Sequence, residues 1–194
     1  MDGTKIYLAE EPFYSIQGEG KTIGYPAIFI RFQICNLQCK WCDTPYTWKL
    51  KYQNENLIVT HEELFEKIDK NGWITKCKSI VFTGGEPLLQ QQHIMDFIDY
   101  IREIYCVDYH FEMPLIEVET NGTIQPLEEL YEYIDIFNIS PKLANSGEKK
   151  QKRIKLDILN DILWKSKDSI LKFVVGDEKE YEEITTDFMD IFEN

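Results

Sequence analysis

Three cysteines within one short stretch are the strongest chemical signal in the sequence. Cys35, Cys39 and Cys42 have the spacing C-x3-C-x2-C. Cysteine thiolates hold iron–sulfur clusters, usually with four thiolates for a [4Fe–4S] cube. A loop with three thiols would hold three corners of that cube and leave the fourth iron without a protein ligand. Because an open iron can bind a small molecule, the spacing predicts a [4Fe–4S] cluster that does chemistry as well as transfers electrons.

Other uses of these cysteines fit the sequence less well. A structural zinc site needs a fourth ligand, usually from a second paired motif, but no second C-x2-C follows and the nearest histidine, His61, stands alone. A disulfide agrees poorly with an odd number of cysteines, five, and with an N-terminus that lacks the apolar run of a signal peptide. Cys77 and Cys106 are isolated in the sequence, and we expect both to pack as small apolar residues.

The composition limits the class of protein. The chain has 194 residues, with 21 Lys and Arg against 34 Asp and Glu, for a net charge of −13. Nucleic-acid binders usually present a basic face, so the charge argues against nucleic acid or an anionic membrane as the main partner. It remains compatible with a small anionic substrate held by one buried arginine. The sequence also lacks the long apolar run of a membrane span, and we expect a cytoplasmic protein with reduced cysteines.

Strands and helices alternate along the chain. Short apolar runs predict five strands, at residues 26–32, 79–83, 115–119, 136–139 and 170–175. Between and after them the pattern predicts helices, one of them opened by a capping box at Thr60–Glu63, and the others at residues 91–105, 126–133, 155–164 and 179 to the end. Five βα units in series predict a mostly parallel sheet covered by helices. The chain is shorter than the about 250 residues of a complete eightfold barrel. We therefore expect an α/β fold, a partial, open β/α barrel formed by one domain, 1–194.

Four unusual segments come directly after predicted strands. They are the cysteine loop at residues 33–46, Thr83-Gly-Gly-Glu-Pro87, Glu119-Thr-Asn-Gly122 and Ser140-Pro-Lys142. Because active sites in parallel sheets lie at the carboxyl ends of the strands, we expect these segments to meet at one rim. Gly84 and Gly85, which lack a side chain, would let the backbone approach a ligand closely.

Two carboxylates in these segments are candidate ligand contacts. Glu86 has the chemistry to accept hydrogen bonds from an ammonium group, and Glu119 has the chemistry to bind ribose hydroxyls. Taken alone, each segment is also typical of an ordinary turn, since Asn121-Gly122 is a common turn sequence.

Together the motifs resemble a known family. The cysteine triad followed by Gly84-Gly-Glu-Pro87 resembles the radical S-adenosylmethionine (SAM) superfamily. Gln17-Gly-Glu-Gly20, Arg31, Cys42-Asp-Thr44 and Ser140-Pro-Lys142 make the resemblance closer, to the 7-carboxy-7-deazaguanine synthases of queuosine and related 7-deazapurine biosynthesis. It extends from about Glu11 to Val175. It implies a carbon–nitrogen lyase that converts 6-carboxy-5,6,7,8-tetrahydropterin to 7-carboxy-7-deazaguanine with loss of ammonia.

The resemblance also implies residue roles. Cys35, Cys39 and Cys42 would hold the [4Fe–4S] cluster at which SAM is cleaved, and Thr44 would bind Mg²⁺. Arg31 would pair with the substrate carboxylate, as guanidinium groups do. The other substrate contacts would be Ile16, Gln17, Gly18, Glu19 and Thr83. The SAM contacts would be Trp41, Cys42, Asp43, Gly85, Glu86, Glu119, Ser140, Pro141 and Lys142. Each role has a simpler alternative: Arg31 as a surface charge, Trp41 as a shield of the cluster, Thr44 as the cap of a turn with Pro45.

The resemblance implies partners and shows two departures from the family. It implies an electron donor such as flavodoxin or ferredoxin, and a homodimer. The sequence after the fifth predicted strand is short relative to the family, which puts C-terminal substrate contacts in doubt. A polar insert at residues 46–56 has no assigned role beyond a lid or surface loop.

Two other functions share part of the pattern. A glycyl-radical activating enzyme would use the same three cysteines and SAM but act on a protein. Gln17-Gly-Glu-Gly20 together with Thr44 favours a small-molecule and magnesium site instead. A non-catalytic iron–sulfur electron carrier would ordinarily have a fourth cysteine ligand and no need of the segment Gly84-Gly-Glu-Pro87.

Overall fold

The computed structural model of the chain describes residues 5–49, 57–105 and 112–192. Cys106, residues 50–56 of the polar insert and the last two residues of the predicted terminal helix lie outside these ranges. Over the described residues the chain forms one eight-stranded sheet with helices packed against it. The strands are β1 Ile6–Leu8, β2 Phe13–Ile16, β3 Pro26–Phe32, β4 Leu57–Val59, β5 Ser79–Gly84, β6 Leu115–Thr120, β7 Ile136–Ile139 and β8 Ser169–Leu171.

The sheet is mostly parallel and open. The strand order is β4-β1-β3-β5-β6-β7-β8, with β2 paired to β3 off this path. The five strands predicted from the sequence are β3, β5, β6, β7 and β8, and each pairs in parallel with the next. The three strands that the sequence did not predict, β1, β2 and β4, pair antiparallel at one side. The prediction of a partial β/α barrel is therefore confirmed.

The helices cover one face of this sheet. They are α1 His61–Asp69, α2 Gln91–Tyr105, α3 Leu130–Tyr133, α4 Lys150–Arg153, α5 Leu156–Lys165, α6 Glu178–Asp187 and α7 Met189–Phe192. The capping box predicted at the start of α1 is present, because the Thr60 hydroxyl accepts from Glu63 N while the Glu63 carboxylate accepts from Thr60 N. None of the described helices has the length and apolar character that crossing a membrane requires.

Three predicted boundaries were wrong. The helix predicted from residue 126 begins only at Leu130, because residues 128 and 129 form a turn before it. The strand predicted to reach residue 175 ends at Leu171, because its partner β7 ends at Ile139 and the chain then leaves the sheet at Ser140-Pro141. The predicted terminal helix is divided into α6 and α7 at Phe188, whose side chain is fully buried.

The two faces of the parallel strands have different surroundings. Alternate side chains such as Ile80 and Phe82 of β5 point toward the helices, and they belong to the main hydrophobic core together with the apolar stripe of α2 predicted from the sequence, Ile94, Phe97, Ile98 and Ile101. Cys77 is buried in the same core, as predicted. On the opposite face, Phe13 of β2 stacks on Phe29 with ring centroids 5.1 Å apart. The Arg31 guanidinium lies over the Phe13 ring, and Arg31 lines a cavity on this face.

Candidate active site

Side chains of one row across the sheet form the floor of the cavity. Arg31 of β3 lies beside Thr83 of β5, and Glu119 of β6 lies beside Asn138 of β7, which in turn lies beside Ile170 of β8. The Thr83 hydroxyl donates to Glu119 Oε2 at 2.6 Å and joins the two halves of the row. All five side chains line one cavity of about 270 Å³. The parallel register therefore places residues from distant parts of the sequence at one level near the carboxyl ends of the strands.

The cysteine loop leaves β3 through a strained residue. Ile34 has φ of 78°, an unusual backbone conformation for a β-branched side chain. Two hydrogen bonds hold it there, from Ile34 N to Thr47 O at 2.7 Å and from Glu86 N to Ile34 O at 2.8 Å. Such strain is found where surrounding structure determines the backbone, often at functional sites. The turn directs Cys35, the next residue, into the cavity.

The loop is also tied to two neighbouring segments. Asn36 donates to the Thr123 hydroxyl at 2.7 Å and accepts from Asn121 Nδ2 at 2.9 Å, both in the loop after β6. On its other side, Lys40 N donates to Ser146 O at 2.9 Å. The loop at residues 144–148 also accepts from Trp41 Nε1 and from Gln38 N, through Asn145 and Glu148. These bonds fix the loop backbone at several points and so position the three cysteines.

The three thiols face one space. Cys35, Cys39 and Cys42 all line the cavity, and all three are free cysteines. Burial raises the pKa of Cys35 to about 12 and also raises the pKa of Cys39, where the positive charge of Lys142 acts in the opposite direction. Three thiols on one loop, with a lysine nearby to balance thiolate charge, are a donor set that fits a cluster with one open iron. The residues present therefore fit a [4Fe–4S] group.

Glycines allow the end of β5 to lie directly against this loop. Gly85 N donates to Phe32 O at 3.0 Å, and a Cβ on Gly85 would lie 2.0 Å from Ile34 O. Gly84 has φ of 118°, and a Cβ there would lie 2.4 Å from Phe32 O. Both glycines line the cavity. A side chain at either position would displace the residues that lead into the cysteine loop.

Glu86 lies beneath the cavity instead of on its surface. Its side chain is fully buried, and its carboxylate accepts hydrogen bonds from Leu88 N at 3.1 Å, from the Thr120 hydroxyl at 2.8 Å and from Asn121 N at 2.8 Å. Burial raises the pKa of Glu86, and these hydrogen bonds oppose the rise. In this structure the carboxylate links the turn after β5 to the loop after β6. Its contact with a ligand ammonium group stays a prediction.

Arg31 and Thr44 are placed for more than surface roles. Arg31 Nε pairs with Glu10 Oε1 at 2.5 Å, its guanidinium lies over the Phe13 ring, and its side chain is 19% exposed at the cavity wall. Thr44 precedes the single turn of 3-10 helix at Pro45–Thr47, but its hydroxyl makes no capping bond. That hydroxyl lies 3.8 Å from the Cys42 sulfur, at the cavity surface. Both side chains therefore present polar atoms to the cavity.

A polar network supports the floor from below. Glu117 lies two residues before Glu119 on β6, on the same face of the sheet, and is fully buried. Its carboxylate accepts from the Thr22 hydroxyl at 2.8 Å, from Asn138 Nδ2 at 3.0 Å and from Gln17 Nε2 at 3.4 Å. Gln17 Nε2 also donates to Glu119 Oε1 at 3.3 Å. Burial raises the pKa of Glu119, against the hydrogen bonds from Thr83 and Gln17. The segment before β3 is thereby bonded to the strands that carry the site.

The structure brings most of the predicted site residues together. Those that line the cavity are Glu19, Arg31, Cys35, Cys39, Trp41, Cys42, Asp43, Thr44, Thr83, Gly85, Glu119, Ser140 and Lys142. The others lie outside its lining: Gln17, Glu86 and Pro141 are buried, whereas Ile16 and Gly18 are exposed. The four segments after strands thus meet at one rim, as expected.

The sequence reasoning missed several cavity residues. Lys172 follows β8, lines the cavity and pairs with Glu19, and Trp48 lines it from the start of the polar insert. Asn138 interrupts the apolar run of β7. A polar residue inside a buried strand indicates a functional or hydrogen-bonded position, so this residue could have been found from the sequence. With Arg31 and Lys142, Lys172 places three cations around the cavity, and three acids, Glu19, Asp43 and Glu119, line the same cavity. Anionic and cationic groups of a ligand could therefore each find an opposite charge there.

Comparisons with known proteins agree with this geometry. The family model of the radical SAM superfamily matches residues 29–163. A 7-carboxy-7-deazaguanine synthase of Pyrobaculum aerophilum is 32% identical, over 95% of this chain and 73% of that protein. Proteins of the same name from Rhodopirellula baltica and Thermoplasma acidophilum are 33% and 30% identical, over 91% and 94% of this chain and 65% and 76% of theirs. The chain thus spans between 65% and 76% of the length of these three relatives.

A solved structure supports the fold. The crystal structure of QueE from Escherichia coli superposes with a TM-score of 0.56 over 97% of this chain and 91% of that chain, at 20% sequence identity. At that identity the likeness concerns the fold alone.

Proposed function

Because the chain belongs to the radical SAM superfamily and, within it, to the 7-carboxy-7-deazaguanine synthases, we propose that its cavity converts 6-carboxy-5,6,7,8-tetrahydropterin to 7-carboxy-7-deazaguanine with loss of ammonia. The observation that carries this proposal is the cavity itself, in which three cysteines of one loop face a row of polar side chains from four strands. We propose that the single radical SAM domain extends over residues 1–194.

Cys35, Cys39 and Cys42 are the residues that would hold the cluster. When bound, the reduced cluster supplies the electron that cleaves SAM and so starts radical chemistry on the pterin. Around the thiols, Trp41, Asp43, Gly85, Glu119, Ser140 and Lys142 would bind SAM. Lys142 donates to Ser140 Oγ at 2.9 Å and lies over the Trp41 ring at 5.6 Å. These contacts keep its ammonium group beside the cluster loop, where it would offset negative charge.

The opposite side of the row would orient the substrate. Arg31 would pair with the pterin carboxylate, because Glu10 engages its Nε while the guanidinium remains at the cavity wall. Glu19 and Thr83 line the same cavity and would contact the ring. Thr44 would offer its hydroxyl to Mg²⁺, which prefers oxygen ligands and keeps several waters. Gln17 would act indirectly, by positioning Glu119 through the bond between their side chains.

Three further properties belong to the proposal. An electron donor such as flavodoxin or ferredoxin would reduce the cluster, the chain would work as a homodimer, and it would work in the cytoplasm. Support for the last is chemical, because Cys35, Cys39 and Cys42 must stay reduced to hold the cluster, and the cytoplasm keeps thiols reduced.

Anaerobic turnover tests the proposal. The reconstituted enzyme, given dithionite, SAM, Mg²⁺ and 6-carboxytetrahydropterin, is expected to form 7-carboxy-7-deazaguanine, followed by mass spectrometry. Cys39→Ala is expected to abolish product, because the cluster loses one of its three ligands. Cys77→Ala is the matched control, since Cys77 is buried in the core away from the cavity. It is expected to retain product formation.

Each outcome separates one function from the next. Release of 5′-deoxyadenosine without 7-carboxy-7-deazaguanine would overturn the substrate and direct the search to protein targets. Absence of both products from a protein that holds its cluster would overturn the enzyme assignment. Product formation that does not decrease without Mg²⁺ would contradict the role of Thr44.

A further inference from the structure

A cluster of metal-binding side chains lies outside the cavity, between α1 and α2. His61 is the first residue of α1, while His93 and Asp96 lie three residues apart near the start of α2. One ring nitrogen of each histidine and one carboxylate oxygen of Asp96 all lie within 4.8 Å of one another. Residues three apart on a helix share a face, so the two ligands from α2 are directed together toward His61. None of the three residues lines the cavity.

The His61 ring has a hydrogen bond with the backbone of His93, but this bond does not account for the two unpartnered ring nitrogens. His93 is 8% exposed and His61 is partly buried, and their rings are 5.6 Å apart between centroids. His61 Nε2 and His93 Nδ1 are both buried, and neither has a hydrogen-bond partner among the described residues. A buried polar atom without a partner is destabilising, and two such atoms belong to these neighbouring rings. A bound cation would satisfy both nitrogens at once.

We propose that His61, His93 and Asp96 bind one divalent transition-metal ion, with zinc as the expected occupant. Two imidazole nitrogens and one carboxylate oxygen suit zinc, which binds N and O ligands at about 2.0–2.2 Å in tetrahedral sites. Ligands of one tetrahedral ion lie roughly 3.4 Å apart, so small side-chain rotations from the present separations complete the site. Water would supply the fourth ligand.

The surroundings fix the ligands. The His61 ring stacks on Phe97 with centroids 6.3 Å apart, and Asp96 Oδ1 accepts from Gln92 Nε2 at 2.9 Å. Partners of this kind orient metal ligands and strengthen binding. The ion would join the first turns of α1 and α2, and between them in the chain lies β5 with its glycine turn.

The site is distinct from the proposed reaction, so the test uses the intact enzyme with its iron–sulfur cluster in place. Occupied cluster cysteines cannot bind added zinc, which isolates the second site. The reconstituted enzyme is incubated with zinc, passed over a chelating resin, and its zinc measured by mass spectrometry. We expect about one zinc per chain, and X-ray absorption at the zinc edge with imidazole and oxygen ligands and no sulfur.

Matched variants decide the ligands. Asp96→Asn is expected to weaken zinc binding more than about 100-fold, because loss of an outer-shell partner alone costs about 10–100-fold. Asp99→Asn is the control: its carboxylate lies one turn further along α2 and bonds Arg102 and Tyr133. Zinc should raise the melting temperature of the wild type and of Asp99→Asn but not of Asp96→Asn. His93→Gln should behave like Asp96→Asn; if it does not fold, Asp96→Asn and His61→Gln still decide.

Two results would overturn the site. One is zinc that is bound through sulfur, or none retained, in the wild-type enzyme with a full cluster. The other is unchanged zinc binding when His61 and His93 are both replaced by Gln. Turnover of the pterin is measured on the same samples, and its failure would leave the zinc result standing, since neither measurement depends on the other.

Discussion

The two faces of the parallel sheet differ in chemistry although every central strand contributes to both. On β6, Ile116 and Val118 point into the helix-covered core, whereas the alternate residues Glu117 and Glu119 point to the cavity side. On β5, Phe82 is in the core while its neighbour Thr83 lines the cavity. Because strand side chains alternate, one residue separates a position that supports the fold from a position that supports the site.

The cavity face holds polar groups that burial would destabilise if they lacked partners. Glu117 accepts three hydrogen bonds, and Glu119 accepts from Thr83 and Gln17. The helix face needs no such network, because its side chains are apolar and contribute through burial and close packing. Substitutions on the helix face should therefore act mainly on unfolding, and substitutions of side chains that line the cavity without joining the buried network should act mainly on turnover.

Phe82→Ala should show the largest effect on the helix face. Phe82 is fully buried, with its ring centroid 6.0 Å from that of Phe32 and 6.5 Å from that of Phe97. Truncation of a buried aromatic side chain costs about 3–5 kcal/mol. We expect that loss in the free energy of unfolding, measured by anaerobic urea denaturation, while SAM cleavage per cluster is retained. An intact urea midpoint in this variant would contradict the division between the faces.

Arg31→Gln should show the largest effect on the cavity face. Hydrogen bonds to charged groups contribute about 1.5–3 kcal/mol, so loss of the contact with the pterin carboxylate should lower kcat/KM about 10–150-fold. The KM for pterin should rise while the KM for SAM stays constant. Glu10→Gln, which removes the partner of Arg31 but keeps the guanidinium, should have a smaller effect. If Arg31→Gln mainly lowers the urea midpoint and leaves kcat/KM intact, Arg31 has a structural role only.

The central strands were predictable because burial leaves a strong pattern. The residues of the run Ser79–Thr83 are all buried. An unbroken apolar run of this kind predicts a buried strand from the sequence alone. β1, β2 and β4 have only three or four residues each and depend on antiparallel pairing at the edge of the sheet. A pattern so short does not distinguish a strand from a loop, since the partner that stabilises it lies far away in the chain.

The site was predictable where its residues form a motif. The three cysteines lie close together in the sequence, and so do the residues of the glycine turn. Lys172 and Asn138, in contrast, reach the cavity only because β7 and β8 pair in one register. Glu86 shows the reverse case: the motif identifies it, but two of the three hydrogen bonds to its carboxylate come from Thr120 and Asn121, at the end of β6 and in the loop after it. Contacts between segments distant in sequence decide such details, and the motif alone does not contain them.

Ile80→Val should show the smallest effect and the finest test of the comparison. Ile80 is fully buried on the helix face of β5, and removal of one buried methyl group typically costs about 0.5–1.5 kcal/mol. Ile58→Val is the matched control, because Ile58 lies on the edge strand β4 and is 48% exposed; its free energy of unfolding should change much less. Anaerobic urea denaturation measures both variants, with turnover unchanged in each. Equal losses at the two positions would mean that the helix face of β5 is packed no more tightly than the edge of the sheet.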